Sequence, residues 1–274
     1  ASLVVAHLAA RRPAAGPPLL VLCRDEARAQ QLVEEVAVFW SPPRDADDPL
    51  SGPAALLLPE VDASPYSDLA PDRRTSLGRL AALFRLLHGH QGQVVVLSMR
   101  SLLRRVVAPD HFDERCELVV EKGTLDRDRF ALTLVRAGYQ RLPVVEDPGT
   151  FTVRGGVVDF FPPVYRYPVR LELDGDTVVS LRLFDPESQR TLRRVDHAYL
   201  HPVRETLVTR GAQPRERLLA AADASGHPSS RVRFLLSQIE EGADFFGAEA
   251  LVPIFHQRMA PLWEYLPAGV GWVV

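Results

Sequence analysis

The chain has 274 residues, of which 46% are hydrophobic, and its formal net charge is −3. Such a hydrophobic fraction excludes a disordered protein, and the length suits two domains or one domain inserted into another. The slightly acidic balance disfavours a protein whose main partner is nucleic acid, because such proteins usually carry an excess of basic residues.

The first hundred residues alternate short apolar runs with segments of helical periodicity. The run Leu19–Cys23 is continuously apolar, as in parallel strands that are buried on both faces. A helix is predicted over 27–40, strands over 54–58 and 94–97, and an amphipathic helix over 77–87. This βαβα order predicts a parallel sheet covered by helices.

From residue 116 the pattern becomes that of an α+β segment. Glu117–Val120 is a predicted strand, and Asp126 is a suitable N-cap for a helix that Gly138 would end. The pair Gly155-Gly156 lies inside a strand pattern, which predicts a bulge or a close approach of two backbones.

A β-hairpin is predicted around Asp174-Gly175, a dipeptide typical of tight turns. Before it, Arg170, Glu172 and Asp174 occupy one face of a strand, and the opposite face is apolar. The predicted buried face consists of Val169, Leu171 and Leu173 on the first strand and of Val179, Leu181 and Leu183 on the return strand.

After about residue 202 helical periodicity returns, and the apolar segment 271–274 predicts a last strand. The predicted fold is an α/β domain formed by 1–115 and 202–274, interrupted by an inserted α+β domain at 116–201 with an antiparallel sheet. The chain opens in mid-pattern at Ala1 with no initiator Met, which indicates a piece of a longer protein.

No nucleotide, metal or catalytic site is predicted. Lys122 is the only lysine, and it has no glycine five residues before it, as the phosphate-binding loop G-x-x-x-x-G-K-[ST] would require. The sequence His88-Gly89-His90 lacks a third ligand at a suitable spacing and predicts a solvated loop, as do the scattered carboxylates of Asp62, Asp68 and Asp72. The two cysteines, Cys23 and Cys116, adjoin apolar runs and are interpreted as reduced, mostly buried thiols of a cytoplasmic protein.

Two runs, 154–163 and 184–192, have the composition of rigid β-turns that hold arginines in fixed positions. With several further segments in the same order along the chain, they resemble the UvrB-like module that the excision-repair subunit UvrB shares with the transcription-repair coupling factor Mfd. The segments that carry the resemblance are 58–71, 79–80, 94–106, 137–139, 148–151, 154–156, 246–249, 251–253 and 265–267.

The absent phosphate loop and the absence of UvrB's tyrosine-rich DNA-clamping hairpin favour the N-terminal module of the Mfd family; the region aligned with that hairpin contains only Tyr66. The resemblance implies a P-loop-NTPase-like fold that is degenerate and has no nucleotide site. It also implies a non-catalytic interaction module of transcription-coupled nucleotide-excision repair that recruits UvrA. The translocase motor and the regions that contact RNA polymerase and DNA would lie outside this chain, and no contact with a membrane is implied.

In the family, arginines of the inserted domain engage acidic groups of UvrA, and the matching positions are Arg154 and Arg170. Asp174 occupies a position where relatives often have an aromatic residue, so the affinity for UvrA is expected to be lower or the contact rearranged. The alternative for Arg154 is an internal salt bridge, for instance to Asp159 or Glu172, that stiffens the sheet.

Three other functions remain open from the sequence. The chain could be a structural or autoinhibitory lid on the translocase motor, a fragment of a UvrB-type helicase subunit, or a DNA-binding module. The candidates for phosphate contacts are the pairs Arg73-Arg74, Arg104-Arg105 and Arg193-Arg194, but no interleaved aromatic residues build a stacking groove beside them.

Overall fold

A computed structural model describes residues 1–12, 16–40, 53, 55–61, 72–89, 94–206, 212–225, 229–241 and 248–274. The α-helices in these ranges are α1 (Ser2–Ala10), α2 (Glu26–Phe39), α3 (Arg73–His88), α4 (Met99–Leu103), α5 (Pro109–Asp113), α6 (Arg127–Arg136), α7 (Ala212–Ser225), α8 (Ser229–Glu241) and α9 (Val252–Phe255). Short 3₁₀ helices cover Ala248–Leu251 and Leu262–Tyr265.

The strands are β1 (Leu19–Cys23), β2 (Ala55–Leu58), β3 (Val94–Ser98), β4 (Val106–Val107), β5 (Glu117–Val120), β6 (Gln140–Arg141), β7 (Thr150–Arg154), β8 (Val157–Phe160), β9 (Val169–Asp174), β10 (Thr177–Phe184), β11 (Thr191–Val195), β12 (His197–Leu200), β13 (Met259–Ala260) and β14 (Gly271–Val273). The protein is therefore a mixed α/β protein, as the sequence predicts.

The predicted parallel sheet is present, with the strand order β14-β1-β3-β2 and parallel pairing throughout. Its apolar strands are buried on both faces. One face packs against α1 and α2 through Val5, Leu32 and Val36, and the other packs against α3 through Leu80 and Phe84. This two-sided burial explains why β1 and β3 read as continuous apolar runs in the sequence.

A second sheet has six strands in the order β11-β10-β9-β8-β7-β6, antiparallel except for the pairing of β6 with β7. Helix α6 covers its apolar face, where the rings of Phe130 and Phe160 meet edge to face at 5.5 Å. The predicted ends of α6 are confirmed. Asp126 Oδ1 accepts a hydrogen bond from the Arg129 amide at 2.7 Å, and Gly138 follows the helix with φ of +92°.

One prediction for this sheet was wrong in detail, and another was confirmed in only one of its two forms. Val179 is 43% exposed, whereas Val178 is buried, because a β-bulge between Val178 and Ser180 shifts the register of β10 against β9. Gly155-Gly156 forms the two-residue turn between β7 and β8 and not a bulge. The predicted close approach is confirmed at Gly156, where an added Cβ would lie 2.7 Å from the carbonyl oxygen of Leu173.

Three strand pairings join parts of the chain that are far apart in sequence. β5 pairs with β12, so that Glu117 lies opposite Leu200 at the two ends of the segment that carries the antiparallel sheet. β4 pairs with β13, and β14 lies beside β1 in the parallel sheet. The ring of Phe84 on α3 contacts Tyr199 and His201 at 5.6 and 5.0 Å, so one apolar core continues from α3 to β12.

No helix in the described ranges is both long enough and apolar enough to cross a lipid bilayer. Both cysteines are free thiols, and burial raises the pKa of Cys116 to about 12. Some residues that bear on the sequence predictions lie outside the described ranges, so the predictions that rest on them concern the sequence alone. They are Asp62, Tyr66, Asp68, His90, Phe246 and Gly247.

Candidate protein-interaction face

The face of the antiparallel sheet opposite α6 carries a row of polar side chains that crosses five strands. Each residue of the row is the cross-strand partner of the next. From β7 to β11 they are Thr152, Asp159, Arg170, Arg182 and Arg194. Residues directly opposite each other on neighbouring strands share a face, so three arginines stand side by side. Like charges in such positions repel, and each arginine therefore needs an acidic partner.

Arg170 is held by a bidentate ion pair with Asp159. Its Nε donates to Oδ1 at 2.7 Å and its Nη2 donates to Oδ2 at 2.8 Å. The guanidinium carbon also lies 4.4 Å from the centre of the buried Phe184 ring. The hydrogen bonds to Asp159 raise the pKa of Arg170 further above its ordinary value, and the side chain remains 21% exposed. Arg170 is thus a charged group of fixed orientation that is partly exposed to solvent.

The other two arginines of the row have acidic partners on the same sheet or beside it. Arg182 pairs with Glu172 at 3.1 Å, and Glu172 also accepts a hydrogen bond of 2.7 Å from the Ser180 hydroxyl. Arg194 pairs with Glu121, which follows β5. With these carboxylates the row has no large excess of positive charge, unlike a phosphate-binding stripe.

Arg154 lies at the end of β7, next to the turn formed by Gly155 and Gly156. Its side chain is exposed, and Nη2 donates to the carbonyl oxygen of Pro143. The alternative prediction of a salt bridge from Arg154 to Asp159 or Glu172 is wrong in the described structure, because Asp159 pairs with Arg170 and Glu172 with Arg182.

Arg127, at the start of α6, lies beside the same turn and donates to the Gly155 carbonyl at 3.0 Å. The exposed end of this hairpin is therefore flanked by two arginines. The sequence analysis did not single out Arg127, because only the packing of α6 against the sheet brings it to the hairpin.

Asp174 is exposed at the end of β9, immediately before the hairpin turn at Gly175 and Asp176. It shares the outer face with Arg170, because alternate residues of a strand point the same way. Arg154 shares that face too, since it stands in one row with Val157 and Glu172. From strand spacing, the three predicted site residues have Cα atoms about 12 Å apart. The structure thus gathers all three predicted site residues on one face.

The predicted turn of 185–190 is confirmed and supports Arg170 from one side. Asp185 Oδ1 accepts hydrogen bonds from the amide and hydroxyl of Ser188 at 2.7 and 2.8 Å. Gln189 takes the left-handed conformation with φ of +59°, and its amide group donates to Val145 O and Pro186 O at 3.2 and 2.7 Å. Its backbone oxygen lies 3.5 Å from Nη1 of Arg170.

Three of the six arginines proposed for phosphate contact have identified partners within the protein. Arg73 donates to Pro148 O, Arg104 donates to Val61 O, and Arg194 is paired with Glu121. Lys122 lies in a turn after β5 and not at the N-terminus of a helix. Its backbone amide donates a hydrogen bond to Val178 O. These positions favour neither a DNA-binding groove nor a phosphate loop.

Comparison with known proteins relates this face to a defined family. The sequence model of the UvrB interaction domain matches residues 118–205, which include the whole antiparallel sheet. The transcription-repair-coupling factor of Myxococcus xanthus is 38% identical over 252 residues, a match that covers 91% of this chain and 21% of that protein. That of Escherichia coli is 29% identical over 270 residues, 97% of this chain and 22% of that protein. UvrABC system protein B of Chlorobium limicola is 31% identical over 211 residues, 75% of this chain and 30% of that protein.

The arginine-bearing sheet is therefore part of a UvrB interaction domain. The chain belongs to the transcription-repair-coupling factor family, with which it shares similarity over nearly its whole length. The resemblance found in its sequence is confirmed. The chain spans about a fifth of the length of the transcription-repair-coupling factors that it matches.

Proposed function

We propose that this chain is a non-catalytic module that binds UvrA, and that it does so through the outer face of the antiparallel sheet. The observation that carries the proposal is the coincidence of two features. The match to the UvrB interaction domain covers residues 118–205, and within that range Arg154, Arg170 and Asp174 share one face of the sheet. On that face Arg154 and Asp174 are exposed, and the side chain of Arg170 is 21% exposed.

Arg154 has the leading role in this proposal. Its guanidinium is exposed and is held only by the Pro143 carbonyl among the described residues, so it can turn towards a partner at little cost. A guanidinium can grip a carboxylate of UvrA with two parallel hydrogen bonds. Desolvated at the centre of an interface, such a group is worth about 2 kcal/mol or more on truncation.

Arg170 contributes differently, because two of its donors are committed to Asp159. Its side chain is 21% exposed and can present its positive charge to the partner, while Asp159 and Phe184 fix the orientation of the guanidinium in advance. A group that is already ordered loses little conformational entropy on binding. Asp174 lies about 12 Å away on the same face. Its carboxylate stands where relatives often have an aromatic residue, so it is expected to lower the affinity for UvrA or to rearrange the contact.

We also propose that residues 116–201 form a domain inserted into an α/β domain made of 1–115 and 202–274. The pairing of β5 with β12 supports this division, since it brings the two ends of the segment together. The pairings of β4 with β13 and of β1 with β14 support the return of the chain to the first domain. In this interpretation the parallel sheet is a degenerate P-loop-NTPase-like fold without a nucleotide site, and the module acts in the cytoplasm.

In the whole protein, the module would recruit UvrA to a stalled RNA polymerase, while the translocase motor and the polymerase-binding region lie elsewhere in the sequence. Two alternatives make different predictions. A lid that packs on the motor would bind the motor fragment and not UvrA. A UvrB-type helicase fragment would bind ATP.

The test is titration calorimetry of this chain against UvrA from the same organism. Arg154→Ala should abolish measurable binding or weaken it more than about tenfold, and Arg170→Ala should weaken it less. Arg24→Ala is the matched control, because Arg24 is exposed and lies between β1 and α2, remote from the antiparallel sheet. Absence of binding by the unmodified chain, or equal loss in all three variants, would overturn the proposal. Circular dichroism must show that each variant is folded.

A further inference from the structure

Three side chains that can bind a metal converge where α3 meets the segment leading into β5. His88 is the last residue of α3, Asp113 is the last residue of α5, and Cys116 directly precedes β5. One ligand atom from each, the imidazole nitrogen, a carboxylate oxygen and the sulfur, lie within 4.8 Å of one another. The proposed UvrA contact uses none of these three residues.

The contact between His88 and Asp113 is not an ordinary hydrogen bond. Nε2 of His88 lies 2.8 Å from Oδ1 of Asp113, yet this buried nitrogen has no hydrogen-bond partner of acceptable geometry among the described residues. A buried polar atom without a hydrogen bond calls for an explanation, and a metal ion bound by His88, Asp113 and Cys116 supplies one.

We propose that His88, Asp113 and Cys116 bind one divalent transition-metal ion of the Zn²⁺ class. Imidazole nitrogen, carboxylate oxygen and thiolate sulfur are the three ligand types that zinc accepts in proteins. A site with one sulfur and one nitrogen is unsuited to Ca²⁺ and Mg²⁺, which take oxygen ligands. Cys116 binds as the thiolate, so its proton passes to solvent when the ion enters.

The backbone around the cluster is already set for this role. The Cys116 amide donates to the Asp113 carbonyl at 2.8 Å, which fixes the turn between these two ligands. The ring of His88 packs on that of Phe84 with 4.7 Å between centroids. A tetrahedral zinc ion separates its ligand atoms by about 3.5 Å. This value lies between the 2.8 Å from His88 to Asp113 and the 4.8 Å within which all three ligand atoms lie.

Three protein ligands leave the fourth position of a tetrahedral ion to a water molecule. The ion would fasten the C-terminal end of α3 to the entrance of β5, across the point where the parallel-sheet part of the chain meets the antiparallel part. The sequence predicts no metal here, because His88 and His90 have no third ligand at a suitable spacing. The other two ligands are 25 and 28 residues away from His88 in the chain.

Cobalt(II) tests the site, because a thiolate bound to Co²⁺ gives a charge-transfer absorption band in the near ultraviolet. The metal-free chain is titrated with CoCl₂ and then with ZnCl₂, which should displace the cobalt and remove the band. The decisive comparison is Cys116→Ala against Cys23→Ala, since Cys23 is the only other cysteine and lies in β1. The band should be present in the wild type and in Cys23→Ala and absent from Cys116→Ala.

His88→Ala should weaken zinc binding by more than about tenfold. Loss of a group that only hydrogen-bonds to a metal ligand already lowers metal affinity by about tenfold, and His88 is itself a ligand in this proposal. His7→Ala, at an exposed position of α1, should leave it unchanged. Zinc should also raise the Tm of the wild type and not that of Cys116→Ala. No charge-transfer band in the wild type, or a band that survives in Cys116→Ala, would overturn the proposal. All four variants are first shown to be folded by circular dichroism.

Discussion

Asp159 on β8 accepts both hydrogen bonds of a bidentate pair from Arg170 on the neighbouring strand β9, at 2.7 and 2.8 Å. Asp159 is only 3% exposed, so its charge is compensated almost entirely by this one arginine. The pair therefore has two roles in this sheet. It stabilises the strands, and it orients the guanidinium that we propose to face UvrA.

Removing the carboxylate should destabilise the protein strongly. Asp159→Ala leaves Arg170 charged and partly buried without its partner, which costs about 3 kcal/mol. The free energy of unfolding is measured by urea denaturation. Asp128→Ala is the control, because its pair with Arg127 is exposed to solvent and should contribute almost nothing. Equal stabilities of the two variants would contradict the structural importance of the Asp159–Arg170 pair.

The two glycines of the β7–β8 turn should respond differently to substitution. Gly156→Ala would bring the new Cβ to 2.7 Å from Leu173 O, and the forced separation of β8 and β9 should cost about 1–3 kcal/mol. Gly155 has φ of +58° with open space around it, so Gly155→Asn, a residue that tolerates the left-handed region, should cost less than about 1 kcal/mol. Thermal denaturation of both variants tests this order, and the reverse order would refute it.

Stability should fall as the pH decreases from about 6.5 to 4. Burial lowers the pKa of His201 to about 4, with smaller contributions in the same direction from Arg85 and His88 and an opposing one from the hydrogen bond to Pro202 O. The unfolded chain takes up a proton near pH 6.5 while the folded protein does not, so acid favours unfolding.

This difference is worth roughly 2 kcal/mol at pH 5 relative to pH 7. Urea denaturation at the two pH values, in the presence of EDTA, measures it. His201→Gln should show a smaller loss of stability between pH 7 and pH 5, whereas His7→Gln, at an exposed position, should behave as the wild type. A wild type equally stable at both pH values would contradict the buried, neutral state of His201.

Asp174→Tyr should increase the affinity for UvrA. The position is exposed at the end of β9, on the face that holds Arg154 and Arg170, and an aromatic side chain there could bury its ring against the partner. A gain of about 1–2 kcal/mol is expected, since aromatic residues are prominent among interface hot spots. Calorimetry against UvrA measures the gain, and Asp176→Tyr in the adjacent turn serves as the control. Weaker binding of Asp174→Tyr would instead indicate that the carboxylate makes a contact.

Local sequence patterns were sufficient for much of the fold. The apolar runs of β1 and β3 predicted a buried parallel sheet, and Asp126 and Gly138 predicted both ends of α6. These features depend on residues close together in the chain. The prediction failed at Val179, because a β-bulge is set by the pairing of two strands and changes which residues of β10 face the core.

The candidate site was predictable only in part, for the same reason. Alternation along β9 placed Arg170 on the outer face, but its pairing with Asp159 depends on the register across the hairpins. The same register brings Arg182 and Arg194 beside Arg170. This row cannot be predicted from the sequence, because it depends on how the strands pair. The convergence of His88 with Asp113 and Cys116 depends on tertiary packing and has no local signal at all.

The pairing of β5 with β12 has a consequence for how such proteins change. Because Glu117 lies opposite Leu200, the two ends of the segment between them lie side by side, as the inserted domain that we propose requires. A protein can accept such a segment within a single surface loop, because the two ends of the segment lie close together. For the same reason, deletion of the segment leaves only a short gap in the backbone. On the proposed division, genetic exchange can transfer the proposed UvrA-binding surface as one continuous stretch of coding sequence.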